Sequence, residues 1–158
     1  MSEPRGGSPG GPNDTAQALR GGLDEIARRH GLLDVYVFGS RAAEIVGRLH
    51  GSGGPPGTTP EADVDVGVRP RADTPFDIDE RVSLTLDLEQ LFAVERVDLV
   101  VLPEAGAFLA LAAISGELIY CEDATDQAEY ELYVLRRAGD LLPFERERRE
   151  LILKHGAR

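Results

Sequence analysis

Hydrophobic and polar positions follow two different periods along this chain, and the changes between them predict alternating helices and strands. Residues 15–30 place apolar side chains on one side at helical spacing, which predicts an amphipathic helix that ends at Gly31. Residues 32–38 (LLDVYVF) are mostly apolar and rich in β-branched and aromatic types, which predicts a buried strand. A helix over residues 41–49 and a strand over residues 62–68, in which valine alternates with aspartate, are predicted next.

The second half of the chain continues the alternation. We predict a helix start with Thr74 as the N-cap, Pro75 at the first helical position and Asp77 completing a capping box. The next residues, VSLTLDLE, alternate like a strand, but their leucines also share one helical face, and we predict a helix through about Phe92. The remaining predicted elements are a strand at 97–102, a helix at 105–114, a small strand at 118–121, and two helices at 123–138 and 143–155 with a break at Gly139-Asp140.

This order of helices and strands indicates an α/β fold in a single domain. Residues 1–14 are rich in glycine, proline and polar residues and predict a flexible tail, and residues 51–60 (GSGGPPGTTP) predict a flexible loop. We therefore expect a folded domain over residues 15–122 and C-terminal helices over residues 123–158 that are continuous with it.

Charge and composition narrow the classes of function. The 158 residues include 17 basic and 28 acidic side chains, a net charge of −11, and most of the acidic excess lies between residues 61 and 104. A nucleic-acid backbone repels such a chain, so direct nucleic-acid binding is not expected. No apolar run reaches the roughly 18 residues of a membrane span, and no secretory signal is recognised. The single cysteine, Cys121, cannot form an internal disulfide, which fits a reducing cytoplasm.

A glycine–serine pair follows the first predicted strand and precedes a helix. Gly39 allows a ligand to approach the backbone closely, and the free N–H groups of the following helix start favour an anion. Ser40 adds a hydroxyl donor and Arg41 a guanidinium that suits phosphate. Taken alone, such a turn is more often purely structural.

Three aspartates lie on the next two predicted strands. Asp63 and Asp65 are two residues apart on one strand, so both carboxylates point to one face and repel each other unless a cation lies between them. The alternative is a surface strand with one polar side. Asp98 is a lone acid within an apolar strand and needs a partner, which could be a metal or, alternatively, Arg41 or Arg96.

Considered together, these residues predict a phosphoryl-transfer site. Magnesium prefers oxygen ligands and usually takes one or two carboxylates together with substrate phosphates. Two such ions, about 3.5–4 Å apart, can clamp the attacking and leaving oxygens of an in-line displacement. We therefore predict that Asp63, Asp65 and Asp98 are catalytic metal ligands, and that Gly39, Ser40 and Arg41 bind substrate phosphates.

The segments VYVFGSRA, ADVDVGV and RVDLVVL resemble the nucleotidyltransferase domain of the DNA polymerase β superfamily. The small size of the chain and its terminal helices are most similar to the minimal nucleotidyltransferase (MNT) antitoxins of HEPN/MNT toxin–antitoxin pairs. The resemblance runs from about Thr15 to the C-terminus. It implies a small mixed β-sheet with flanking helices, like the palm of polymerase β, followed by C-terminal helices.

The resemblance also implies an activity and assigns residues to it. Gly39 and Ser40 match the pair that binds the triphosphate of the nucleotide, and Asp63 and Asp65 match the pair that holds magnesium. Asp98 matches the third acid, which completes a second metal site and helps to deprotonate the attacking hydroxyl. Members of this branch transfer AMP from ATP to a tyrosine of the cognate HEPN ribonuclease toxin. A hetero-oligomer with such a toxin, ATP as substrate and two Mg²⁺ ions, replaceable by Mn²⁺, are therefore expected.

Three departures from the family pattern leave other functions open. Ala62 replaces the usual serine before the first aspartate, and Ala43-Glu44 replaces an Arg-Gly pair. The segment between Ser40 and Asp63 is longer than usual by roughly ten residues, which costs little stability because closure entropy grows slowly with length. One alternative is a non-catalytic antitoxin that blocks its toxin by binding alone. Another is a nucleotidyltransferase that modifies a small molecule such as an aminoglycoside.

Overall fold

The computed structural model describes residues 10–53 and 62–156 of the chain. Within these described ranges, five helices and four strands alternate, with a single 3-10 turn after the third strand. In chain order the elements are α1 (Pro12–Arg29), β1 (Leu32–Phe38), α2 (Ala42–Leu49), β2 (Val64–Pro70), α3 (Ile78–Phe92), β3 (Val97–Val101), the 3-10 turn (Leu102–Glu104), α4 (Ala107–Ile114), β4 (Glu117–Cys121) and α5 (Ala124–His155). Within these residues, no helix combines the length and the apolar composition that a membrane crossing requires.

The four strands form one mixed sheet in the order β3-β2-β1-β4. Strand β1 is antiparallel to both of its neighbours, whereas β2 and β3 are parallel and are connected by α3. The expected α/β fold with a small mixed sheet is therefore confirmed.

Each face of the sheet packs against its own set of helices. On one face, Val64, Val66 and Val68 of β2 join the larger hydrophobic cluster with residues of α1 and α3. Because side chains alternate along a strand, Asp65 and Gly67 point to the opposite face. Helix α4 covers that face so closely that a Cβ atom at Gly67 would lie 3.1 Å from the Ala113 side chain. The aspartates of β2 therefore lie on the α4 side of the sheet.

A buried polar network attaches the first half of α5 to this same face. Asp34 is fully buried, and its Oδ2 accepts a hydrogen bond of 2.5 Å from Nε of Arg69 on β2. Arg69 also donates from Nη2 to Asp126 of α5 at 2.6 Å, and its guanidinium lies 4.6 Å from the ring centre of Tyr130. Next to this cluster, Gln127 donates to the hydroxyl of the buried Tyr36 at 2.7 Å.

Several predicted boundaries are confirmed and others shift by a few residues. Strand β1 has the predicted bounds, and the segment after Asp77 is a helix, as predicted. Helix α1 begins at Pro12, so the last three residues of the predicted tail are helical, and residues 1–9 lie outside the described residues. Most of the predicted loop at 51–60 also lies outside them.

The predicted start of α3 at Thr74 is wrong. The N-cap is Asp77, whose carboxylate accepts a 2.9 Å hydrogen bond from the backbone N–H of Glu80. Either residue type can cap a helix, but the chain turns at residues 72–74 and residues 75–77 are not yet helical. Helix α3 therefore begins at Ile78, one turn later than predicted.

The predicted break at Gly139-Asp140 is also wrong, because α5 is one helix of 32 residues with Pro143 inside it. Pro143 has no N–H to donate to the carbonyl of Gly139, so the helix continues at the loss of one backbone hydrogen bond. Its first half packs against α4 and contacts the sheet through Tyr36 and Arg69, and Ala138 is the last buried residue in the described part of the chain. We call residues 139–155 the terminal arm; at 1.5 Å per residue it extends about 26 Å beyond Ala138.

Candidate active site

Gly39 forms the turn between β1 and α2 and adopts a φ of 75°, a backbone conformation that favours glycine. A Cβ atom at this position would lie 2.2 Å from Oδ2 of Asp65, so any side chain would collide with that carboxylate. The glycine predicted to bind phosphate is thus in direct contact with one of the predicted metal ligands. Ser40 is exposed beside it.

Helix α2 begins at Ala42, immediately after this turn, and no side chain caps its N-terminus. The first backbone N–H groups of a helix have no partner within the helix and carry a partial positive charge. The turn and the helix start together form a backbone surface that suits an anionic ligand.

Asp65 and Asp98 lie side by side on the parallel strands β2 and β3, where their Cα atoms are direct partners in the register. Asp65 is half-buried and Asp98 is exposed. Burial raises the pKa of the Asp65 carboxyl, and the charges of Asp98 and Asp63 raise it further. The pair is therefore a site of uncompensated negative charge, which a cation would relieve.

Asp63 lies just before β2 rather than within it, because the strand begins at Val64. Its Oδ1 lies 3.6 Å from Nε of Arg96, and more than a third of its side chain is exposed. Arg96 was considered above as a partner for Asp98, but in the described residues its ion pair is with Asp63. Asp63 is near enough for its charge to raise the pKa of Asp65.

Arg41 follows the turn of Gly39 and Ser40, which we call the phosphate turn, but its guanidinium binds other groups. Nε and Nη2 donate to the two carboxylate oxygens of Glu44 at 3.0 and 2.9 Å, and Nη1 donates to the backbone carbonyl of Ala62 at 2.9 Å. Only about a tenth of its side chain is exposed. Sequence reasoning missed this role of Glu44, although an arginine and a glutamate three residues apart could have indicated an ion pair.

The donor set is chemically suited to magnesium, since all three predicted ligands are carboxylates. Among residues 10–53 and 62–156, however, no three histidine, cysteine or carboxylate side chains lie close enough together to hold a metal without other ligands. Magnesium usually takes only one or two carboxylates and completes its shell with water and phosphate oxygens. The adjacent pair Asp65 and Asp98 meets that requirement, and Asp63 would have to release Arg96 to join it.

Asp65 and Asp98 line a cleft of about 620 Å³ between β3 and the helices α3 and α4. Val82 and Leu86 of α3 and Leu109 of α4 line it, and all three are exposed. A second cleft of about 640 Å³ lies on the other side of Gly39, against α2. A larger cleft of about 760 Å³ between α1 and α3 contains none of the predicted site residues. The position of Gly39 and of the aspartates, rather than cleft size, therefore identifies the candidate site.

No protein-family model and no curated protein matches the chain. Solved structures do match its fold. A chain of the toxin–antitoxin MntA–HepT is 21% identical, with a TM-score of 0.57 over 89% of this chain and 99% of that chain. A toxin–antitoxin solved with AMP-PNP is 20% identical, with a TM-score of 0.59 over 87% of this chain and 98% of that chain.

A third match comes from the tri-AMPylated HEPN toxin of Shewanella oneidensis in complex with its MNT antitoxin. The matching chain is 21% identical, with a TM-score of 0.57 over 90% of this chain and 99% of that chain. The alignments cover nearly the whole length of these chains and most of this chain. The chain thus has the fold of an MNT antitoxin.

Proposed function

We propose that this chain is an antitoxin that acts as a magnesium-dependent adenylyltransferase, transferring AMP from ATP to a tyrosine of a cognate HEPN toxin. The observation that carries the proposal is the pairing of Asp65 with Asp98 in register, against Gly39 and at the mouth of an open cleft. Among the proteins of similar fold, one was solved with AMP-PNP and another with a tri-AMPylated HEPN toxin.

In this proposal one group of residues binds the metal and another group binds the phosphates. Asp65 and Asp98 hold magnesium, with Asp63 as a third ligand. Magnesium, when bound, neutralises the charge of the triphosphate and lowers the pKa of the attacking hydroxyl. Ser40 and the backbone N–H groups between Gly39 and α2 bind the outer phosphates, which become the leaving pyrophosphate. Gly39 makes this possible because it keeps the backbone within reach of both the carboxylates and the phosphates.

The transfer step is an in-line displacement at the α-phosphorus of ATP. The tyrosine oxygen of the acceptor forms a bond to the α-phosphorus, and the bond from that phosphorus to the bridging oxygen breaks, releasing pyrophosphate. The proton of the tyrosine hydroxyl passes to the carboxylate of Asp98. Asp98 suits this role better than Asp65, because it is exposed on the edge strand whereas Asp65 is half-buried behind it.

The terminal arm is proposed to contribute the surface that binds the toxin. All of its residues except Glu145 are exposed. Its apolar side chains include Phe144, which is 68% exposed, and Leu153, which is 84% exposed. Exposed apolar surface of this kind commonly marks an interface. Chains of similar fold come from toxin–antitoxin complexes.

A second candidate function is neutralisation by binding alone. Two observations favour it: Asp63 is paired with Arg96 rather than turned to the other carboxylates, and Arg41 is engaged with Glu44 instead of the phosphate turn. The terminal arm would serve this function equally well, so the two candidates differ only in the covalent step.

Co-expression with a candidate HEPN-type toxin, followed by intact mass spectrometry, tests the proposal. The toxin is expected to gain mass in whole AMP units in the presence of wild-type antitoxin. The gain is expected to disappear with Asp98→Asn and to persist with Asp73→Asn, a matched change at an exposed aspartate outside the site. A stable complex without any mass gain, in the presence of ATP and magnesium, would favour the binding function instead.

A further inference from the structure

The side chain of Arg41 connects the two ends of a long excursion between β1 and β2. Its Nη1 donates to the carbonyl of Ala62, 21 residues further along the chain. The other two contacts, from Nε and Nη2 to Glu44, fix the plane of the guanidinium in a bidentate ion pair. Arg41 therefore holds Ala62, the point at which the chain returns to the sheet.

That point immediately precedes Asp63. On its other side, the backbone N–H of Val64 donates to the carbonyl of Arg96 at 3.0 Å, which begins the pairing of β2 with β3. The peptide units on both sides of Asp63 are thus held by hydrogen bonds, one from a side chain and one from the sheet. No element of regular structure holds Asp63 itself, since the strand begins one residue later.

From this geometry we propose that Arg41 is a positioning residue, which holds the backbone of Asp63 so that its carboxylate can reach a cation bound at Asp65 and Asp98. Glu44 holds the guanidinium in place for this purpose. Arg41 does not bind phosphate in this arrangement, because turning towards the phosphate turn would break a bidentate pair whose side chains are only 10% and 22% exposed. The cation in this inference rests on the proposed function, whereas the hydrogen bond from Arg41 to Ala62 is observed in the structure.

Glu44 and Ala62, two of the departures from the family pattern, both contact the side chain of Arg41. Glu44 supplies the carboxylate that anchors the guanidinium, and the residue at position 62 supplies only a backbone carbonyl, so alanine serves there. This accounts for the proximity of Arg41 to the site without a phosphate contact.

The experiment compares Arg41→Met and Arg41→Lys with Arg20→Met as the matched control. Arg20 also donates from Nη1 to a distant backbone carbonyl, that of Leu49 at 2.8 Å, but at the far end of α2. Three quantities are measured on the full chain: hydrogen exchange of the backbone amides of residues 62–65, the dissociation constant of Mn²⁺, and the dissociation constant of ATP in the presence of EDTA.

We expect Arg41→Met to accelerate exchange at residues 62–65 and to weaken Mn²⁺ binding by about tenfold or more, as is typical when a group that orients a metal ligand is lost. Binding of ATP in EDTA is expected to change less than about twofold, which corresponds to under half a kcal/mol. Arg41→Lys is expected to retain folding but to recover little, since lysine cannot form the planar bidentate pair. Arg20→Met is expected to leave all three quantities unchanged.

Weaker binding of ATP in EDTA by Arg41→Met, with unchanged exchange at residues 62–65, would overturn the proposal and assign Arg41 to phosphate. Equal effects of Arg41→Met and Arg20→Met would also overturn it. If the wild-type chain binds no Mn²⁺ even when ATP is present, the proposed function fails at its metal site. The exchange rates then still decide whether Arg41 holds the segment before β2.

Discussion

At the scale of single residues, Gly39 is the position where a one-atom change has the clearest expected effect. Gly39→Ala would impose a strained φ and would place a methyl group against the carboxylate of Asp65. We expect a loss of about 1–3 kcal/mol in the free energy of unfolding, together with loss of AMP transfer. Denaturant unfolding measures the first quantity. Gly21→Ala is the control: a Cβ there meets nothing within 4 Å inside α1, so it should stabilise the chain by about 0.5–1 kcal/mol.

Asp65 is the residue whose charge state links stability to pH. Its pKa is raised in the folded state, by burial first and then by Asp98 and Asp63. The folded state therefore holds this proton more tightly than the unfolded state. As pH rises above the ordinary value of 3.8 and through the raised pKa, the chain loses stability, and the loss persists at neutral pH.

Asp65→Asn is accordingly expected to raise the melting temperature at pH 7 in EDTA while it reduces AMP transfer by orders of magnitude. The gain in melting temperature should shrink as the pH is lowered towards 4, because the wild-type carboxyl then takes up its proton. Thermal melts across this pH range provide the measurement, and the exposed Asp73→Asn serves as control. A lower melting temperature at pH 7 would contradict the electrostatic interpretation.

At the scale of the elements, the attachment of α5 to the sheet depends on Arg69. Burial raises the pKa of Asp34 although Arg69 opposes this shift, and no described residue provides a hydrogen bond to Asp34 Oδ1. Arg69→Met would leave this carboxyl buried without its partner. We expect a loss of about 3–5 kcal/mol in the free energy of unfolding, measured by denaturant titration.

Arg71→Met provides the comparison for that prediction. Arg71 pairs with Glu122, but both side chains are about 40% exposed, so removing the arginine should cost less than about 1 kcal/mol. Replacing Asp34 by asparagine together with Arg69→Met should recover part of the loss, since no buried charge then remains. Similar losses for the two arginine variants would show that the buried network does not anchor α5.

The elements themselves were predictable wherever the signal is local. The apolar run of β1 ends at Gly39, and its bounds followed directly. The N-terminus of α3 and the continuity of α5 did not follow, because Thr74 and Asp77 are both acceptable caps and a single proline removes only one helical hydrogen bond. Gly139 and Pro143 belong to residue types that disfavour helices, yet both lie inside α5.

For the candidate site, the sequence indicated which residues to consider but not how they are arranged. Sequence spacing indicated that Gly39, Asp63, Asp65 and Asp98 could act together, but the register that puts Asp65 beside Asp98 depends on which strands are neighbours. The position of Asp63 outside β2 and the engagement of Arg41 with Glu44 depend on packing across 21 residues of chain. Neither property is encoded in a local pattern.

At the scale of the whole molecule, the chain divides into a packed body and the terminal arm. The arm contains Arg146, Arg148 and Arg149 in a stretch of helix without any buried residue, whereas the exposed Arg20, Arg28 and Arg29 of the body lie on α1, which has a buried face. Limited trypsin digestion of the free chain is therefore expected to cut first in the arm and to leave a stable fragment that ends near it. Binding of the proposed toxin partner should protect these sites. Cleavage in the body as early as in the arm would contradict this division.

The sheet order has a consequence for synthesis of the chain. Strand β1 is made first, but one of its two partners, β4, is the last strand to be made. Until the ribosome has passed Cys121, an incomplete chain carries an unpaired edge on β1, which is the kind of surface that invites aggregation. The terminal arm follows later still. The nascent protein therefore completes its candidate active site before it presents the helix proposed to bind a toxin.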